Sequence, residues 1–216
     1  MKEKEDIKSG NWFVDIIMSF APNEDAIQVT GTPEEMTSKA SWEAFVISTA
    51  AGSVPGPLGW ATILPELAAL TKLQVNLVYK IAKFHKQQMK VNRTIVMHAF
   101  GTAMGVGLGR ELLRKTGTRI IVKALSSQAI KKIAQRIGIK IGSKIIQRSV
   151  GRFFFLVAAP IFGAFSKSMT TNIGRAADEL FLQDVVIEEM VSCSQGHEVP
   201  NDAKFCPECG EKMNNT

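Results

Sequence analysis

A chain of 216 residues can hold one sizeable domain and a small second module, at ~100 to 200 residues per domain. All three cysteines lie in the last 24 residues, and Met1–Asp6 is mixed in charge rather than apolar. On that pattern neither a disulfide-stapled fold nor a cleaved secretory signal is expected, and an intracellular, reducing setting is. The net charge of +6 hides a segregation: residues 1–52 carry 4 basic and 9 acidic side chains, residues 53–177 carry 20 and 2, and residues 178–216 carry 2 and 9. A cationic body between two anionic ends implies an anionic partner for the body, or docking of the acidic ends onto it.

Residues 1–31 read as an acidic N-terminal segment, and Thr32-Pro33-Glu34-Glu35 as a helix start, with a cap, a proline at the first position and acids in the first turn. This helix is expected to reach about Ala51. Two prolines and three glycines in Gly52–Gly59 then stop it. A second helix begins near Leu64 or Pro65 and runs to about Gln88, with Leu67, Leu70, Leu73, Leu77 and Ile81 on one face. A third is capped by Asn92 and reaches Lys115. It carries Gly101, Gly105 and Gly109 four residues apart, a face that invites close approach of another helix, within the domain or between copies of the chain.

The basic stretch follows. Ile130, Ile133, Ala134, Ile137 and Ile141 share one helical side, and Lys131, Lys132 and Arg136 lie away from it. The row Lys132, Arg136, Lys140, Lys144, Arg148, Arg152 drifts by about 40° per step, which predicts a bend near Gly138 or Gly142. With Lys123 and Lys131, this row is the expected contact with an anionic surface. Phe153-Phe154-Phe155-Leu156 leads into an apolar helix interrupted at Pro160, and a last helix reaches about Gln183. Residues 184–192 read as a linker. No strand-like alternation is evident outside the tail, so the expected fold is all-α: a helical bundle over 32–183 with glycine-rich apolar helices, plus a small zinc ribbon over 193–216.

The tail carries the sharpest chemistry. Cys193, His197, Cys206 and Cys209 are spaced C-x3-H-x8-C-x2-C, two short turns at the ends of a loop that can wrap one tetrahedral zinc ion. Four protein ligands fill the coordination sphere, so a structural zinc is expected rather than a catalytic one.

Ala44–Pro65, Thr94–Gly109 and Phe153–Ser166 contain no charged residue. Only the first is long enough to reach the ~20 residues that cross a bilayer, and its centre is the proline/glycine block. That leaves a hairpin dipping into one leaflet, or buried helices of a soluble bundle. The run AAGSVPGPLGWATILPELAALTKLQVNLVYKIAKF (Ala50–Phe84), followed by TTNIGRAADELF (Thr170–Phe181), resembles the EcsC-like group of domains, which includes the domain found behind Era-type GTPases. The resemblance implies an all-helical, membrane-associated module without a settled activity. Unlike the GTPase-fused members, these 216 residues carry no GTPase motif, and the zinc tail is expected to be an addition.

Catalytic chemistry is sparse. Residues 53–177 hold only the carboxylates Glu66 and Glu111, on different expected helices, and His85 and His98 have no cysteine or acid nearby in sequence. The expectation is a non-enzymatic cytoplasmic protein, peripheral to or hairpin-inserted at the inner face of the membrane, whose zinc ribbon binds another protein. The alternatives are a soluble protein-binding bundle or adaptor, and a basic zinc-ribbon protein that binds nucleic acid. Against nucleic acid stand the acidic ribbon, with Glu198, Asp202, Glu208 and Glu211 against Lys204 and Lys212, and the few aromatics available for base stacking.

Overall fold

The start of the first helix follows directly from its local chemistry. Thr32 Oγ1 accepts a hydrogen bond from the Glu35 amide at 3.2 Å, and the Glu35 carboxylate accepts one from the Thr32 amide at 2.9 Å. This reciprocal box, with Pro33 at the first position, opens α1 (Pro33–Gly52). The structure, a computed structural model, describes residues 17–53, 62–105, 113–116, 118–123, 155–201 and 203–213. The proline/glycine loop and the basic row from Lys131 to Arg152, with its expected bend, lie outside the described residues.

The second helix, α2 (Ile63–Phe84), buries Leu70, Leu77 and Ile81 from the expected face, with Val75, Val78 and Ala82 beside them. It stops before Gln88 because Lys86 takes a positive φ of 58°, and a 3-10 turn (Gln88–Lys90) follows. Asn92 caps α3 (Arg93–Ala103) as expected, its side-chain oxygen accepting from the Ile95 amide at 3.1 Å. This helix is shorter than expected. Gly105 adopts φ +62°, the left-handed geometry that ends a helix, and Leu113–Thr116 is a strand rather than the last turn of a longer helix.

Pro160 does not interrupt the last helix: α4 (Phe155–Phe181) runs unbroken through it. The ring removes one N–H, whose partner would be the carbonyl of residue 156 in the first turn, and the proline itself is exposed, so nothing downstream has to bend.

Helices α1 and α4 are antiparallel and very close. A Cβ added to Gly174 would stand 2.3 Å from Thr37 Oγ1, one on Gly163 2.2 Å from Thr49 Oγ1, and one on Gly52 3.2 Å from the Ala159 backbone. Helix α2 runs parallel to α4, with Gln74 donating to Thr170 Oγ1 at 3.0 Å and His85 Nε2 lying 2.8 Å from Asp178 Oδ1. The three helices meet at a buried polar knot: Ser48 Oγ donates to Glu66 Oε1 at 2.7 Å and lies 2.6 Å from Ser166 Oγ.

The expectation of an all-helical body needs correction. The described residues are mostly helical, but β1 (Leu113–Thr116), β2 (Arg119–Lys123) and β3 (Asp184–Glu188) form a three-stranded sheet. Strands β1 and β2 are an antiparallel pair, and β3 joins β2 in parallel with Ile120 opposite Val185 and Val122 opposite Ile187. Ile120, Val122 and Val185 enter the same core as α2, α3 and α4. Gln87 pins this sheet to the helices: its amide donates to the Phe181 and Gln183 carbonyls at 2.9 and 2.8 Å, and its oxygen accepts from the Val185 amide at 2.9 Å. The stretch expected to be a linker is therefore extended and ordered by pairing. Strand β4 (Met190–Ser192) follows at once and pairs antiparallel with β5 (Glu198–Pro200).

Candidate metal centre

The hairpin β4–β5 sets up the first turn of the tail. Cys193 immediately follows β4, its amide donates to the His197 carbonyl at 3.0 Å, and Gly196 closes the turn with φ +81°. The His197 amide points at Cys193 Sγ from 3.3 Å. The second turn repeats the device: Gly210, at φ +72°, donates its amide to the Cys206 carbonyl at 2.9 Å, and the Cys206 amide donates to the Glu211 carbonyl at 2.8 Å. In both turns the left-handed residue is glycine, which alone adopts that geometry without a Cβ clash. Val199, Cys193 and Cys206 form a small buried cluster of their own, with Ala203 and Met213 packed against it.

These turns bring the four expected ligands together: the donor atoms of Cys193, His197, Cys206 and Cys209 all lie within 4.8 Å of one another, a group able to hold a metal ion. Cys193 Sγ is 3.5 Å from His197 Nδ1 and 3.7 Å from Cys209 Sγ, and Cys206 Sγ is 3.7 Å from His197 Nδ1. A disulfide would need sulfurs at ~2.05 Å. The imidazole therefore presents Nδ1 to the sulfurs, while its Nε2 faces Glu208 Oε2 at 3.4 Å. A carboxylate behind a ligating imidazole fixes its tautomer and raises its basicity.

Crowding sets the sulfur protonation. Burial pushes the Cys206 thiol up, but the amides of Cys209 and Glu208 and the neighbouring sulfurs outweigh it and hold that thiol below its ordinary value. The Glu211 amide pulls Cys209 down, yet burial and the sulfurs of Cys206 and Cys193 push it up to about 11. Three thiolates repel one another at this spacing, and a dication between them removes the conflict.

Two residues of the site carry no signal in the spacing of the ligands. Glu211 accepts from the Ser194 hydroxyl at 2.7 Å and the Ser194 amide at 2.9 Å, joining the two turns, and these bonds hold its carboxyl below the usual range. The join is tertiary, so sequence spacing could not reveal it.

Other expected residues fall differently. Lys123 ends β2, and the remaining cations expected at an anionic surface lie outside the described residues. Among the described residues nothing approaches within 4 Å of a Cβ built on Gly101 or Gly105, and Gly105 ends the helix, while Gly109 lies outside the described residues. The contacts that tolerate no side chain are at Gly163 and Gly174, and their signal was available: Ala159, Gly163, Ser166, Thr170, Gly174 and Ala177 repeat at three- and four-residue steps. His85 has an acidic partner after all, Asp178, on a helix distant in sequence. Among the described residues, no helix is long and apolar enough to cross a membrane.

Searches against protein-family models, curated proteins and solved structures each return no match. The resemblance to the EcsC-like group thus rests on the quoted sequence runs alone.

Proposed function

We propose that the tail is a structural zinc ribbon that binds a protein partner, carried by a non-enzymatic body that associates with anionic membrane surfaces. Zinc is favoured by the donor set, since three thiolates and an imidazole suit a borderline-soft ion. With Zn–S at about 2.3 Å and Zn–N at about 2.0 Å, tetrahedral edges are roughly 3.8 Å between sulfurs and 3.5 Å between sulfur and nitrogen. The sulfur–sulfur spacing of 3.7 Å and sulfur–nitrogen spacings of 3.5 and 3.7 Å support that ion. Four protein donors leave no open position for catalysis. The ribbon also exposes Phe205 beside Cys206, an apolar handle on an acidic module.

The observation that carries the membrane reading is the burial of Glu66. Residues 53–177 contain 20 basic and 2 acidic side chains, and one of those two acids is withdrawn from the surface into the Ser48–Ser166 knot. That stretch therefore turns fewer acids outward than its sequence count. Each Lys or Arg near an anionic leaflet contributes about 1 kcal/mol, so several together hold a protein there. The EcsC-like sequence runs point the same way.

Vesicle flotation tests this reading. The full chain should float with vesicles containing phosphatidylglycerol, less with pure phosphatidylcholine, and high salt should weaken binding without abolishing it. Failure to float under any of these conditions would reject membrane association and leave the protein-binding bundle.

A further inference from the structure

The charge-free stretches of this chain converge in space. In α1 no residue from Ala44 to Gly52 is charged, in α4 none from Phe155 to Ser166, and in α2 from Ile63 to Thr71 the one charge is Glu66. Ser48 bonds both Glu66 and Ser166, and Thr62 Oγ1 lies 3.3 Å from the Ala51 carbonyl, so the end of α1 and the beginnings of α2 and α4 occupy one end of the bundle. Among the described residues of those stretches the single carboxylate, Glu66, is 6% exposed and accepts from Ser48.

Among the described residues, several at that end are apolar and outward-facing. Val46 and Ile161 are each 62% exposed and Phe165 is 42% exposed, with Ala50, Pro65, Ala69 and Pro160 also facing outward. At a rise of 1.5 Å per residue the three stretches are roughly 13 to 18 Å long, against a depth of roughly 15 Å for one leaflet's hydrocarbon. The border is marked by Trp42, more than half exposed, with the Lys167 ammonium 3.3 Å from its ring centroid. A tryptophan with a lysine over its face suits the headgroup level, where an amphipathic ring and a snorkelling cation both find their preferred surroundings.

We propose that this end of the bundle sinks into a single leaflet, with Val46, Ile161 and Phe165 among the acyl chains and the Trp42–Lys167 pair at the headgroups. The inference rests on the membrane reading above and specifies its inserting element: three helix ends rather than a hairpin of residues 44–65 alone. A bilayer is the occupant the charge pattern selects. Three helix stretches of one leaflet's depth whose one charged residue, Glu66, is buried, ending at a tryptophan and a lysine, match a hydrocarbon slab with a polar boundary.

The test uses the full chain on vesicles of phosphatidylcholine and phosphatidylglycerol, with bromine placed shallow or deep in the acyl chains. Trp12→Phe with Trp60→Phe leaves Trp42 as the only tryptophan; adding Trp42→Phe and Phe165→Trp moves the reporter. Shallow bromine should quench Trp42 most, and deeper bromine the residue-165 reporter. Val46→Asp and Ile161→Asp should each lower partitioning by about tenfold or more, on neutral as well as anionic vesicles, with helicity and metal content unchanged. If the protein floats but neither reporter is quenched and the aspartate variants bind like wild type, insertion is wrong and surface association alone stands. No flotation removes both readings. A dimer in solution that Val46→Asp dissociates, with no quenching on vesicles, would assign this end to a second copy of the chain and overturn the proposal.

Discussion

At Gly163 and Gly174 the missing side chain is the structural content of the residue. A methyl group at either position meets a threonine hydroxyl at little over 2 Å, inside any tolerable contact, and on each side the obstacle belongs to α1. Gly163→Ala and Gly174→Ala should each destabilise the helical body by about 1 to 3 kcal/mol in denaturant titration, despite alanine's higher helix propensity. Gly105 behaves differently. Its constraint is φ +62° rather than crowding, so Gly105→Asn should cost little, and Gly105→Val about 1 to 2 kcal/mol. Asp184 supplies a pH signature. The hydrogen bond from Lys90 holds its carboxyl below its ordinary value of 3.8; burial opposes this, and the charges of Lys90 and Arg119 reinforce it. A lowered folded value means the interaction stabilises above the ordinary value and is lost as pH falls through the lowered one. Asp184→Asn should therefore reduce Tm near neutral pH and leave it matched to wild type at the acid end. A constant offset across that range would show that charge is not the source.

Elements were legible where their signals were local. Thr32-Pro33-Glu34-Glu35 specifies the start of α1 by chemistry confined to four residues, and Thr32→Ala should cost about 1 kcal/mol because the box loses its acceptor. Asn92 announced α3 for the same reason. The ends were harder, since Lys86 and Gly105 stop helices through backbone geometry that periodicity does not encode. Pro160 misled in the other direction: a residue that breaks helices on average is accommodated in the second turn of α4. The sheet was the largest omission. Strand β1 is only Leu-Arg-Lys-Thr, and β3 meets β2 from far along the chain, so both depend on tertiary pairing. Yet Ile120-Ile121-Val122 and Val185-Val186-Ile187 are β-branched runs that a strand reading could have used.

On the scale of the whole molecule, three regions of different chemistry share one chain: a bundle end whose described carboxylate is buried, a sheet pinned by Gln87, and a tail whose own core is built from Cys193, Cys206 and Val199. The clustering of Cys193, His197, Cys206 and Cys209 was legible because two short turns with glycine and cysteine at fixed offsets determine their own geometry. The small-residue seam between α1 and α4 was not, because glycine spacing alone does not say which helix meets which. The separate tail core predicts that metal binding is linked to folding of the tail rather than of the helices. The most direct test is metal analysis of the full chain purified under reducing conditions, alongside Cys206→Ser with Cys209→Ser. The account predicts one zinc per chain in wild type, none in the double variant, and helical circular dichroism retained in both. A metal-free wild-type protein, or loss of the helical signal when the ion is chelated, would contradict it.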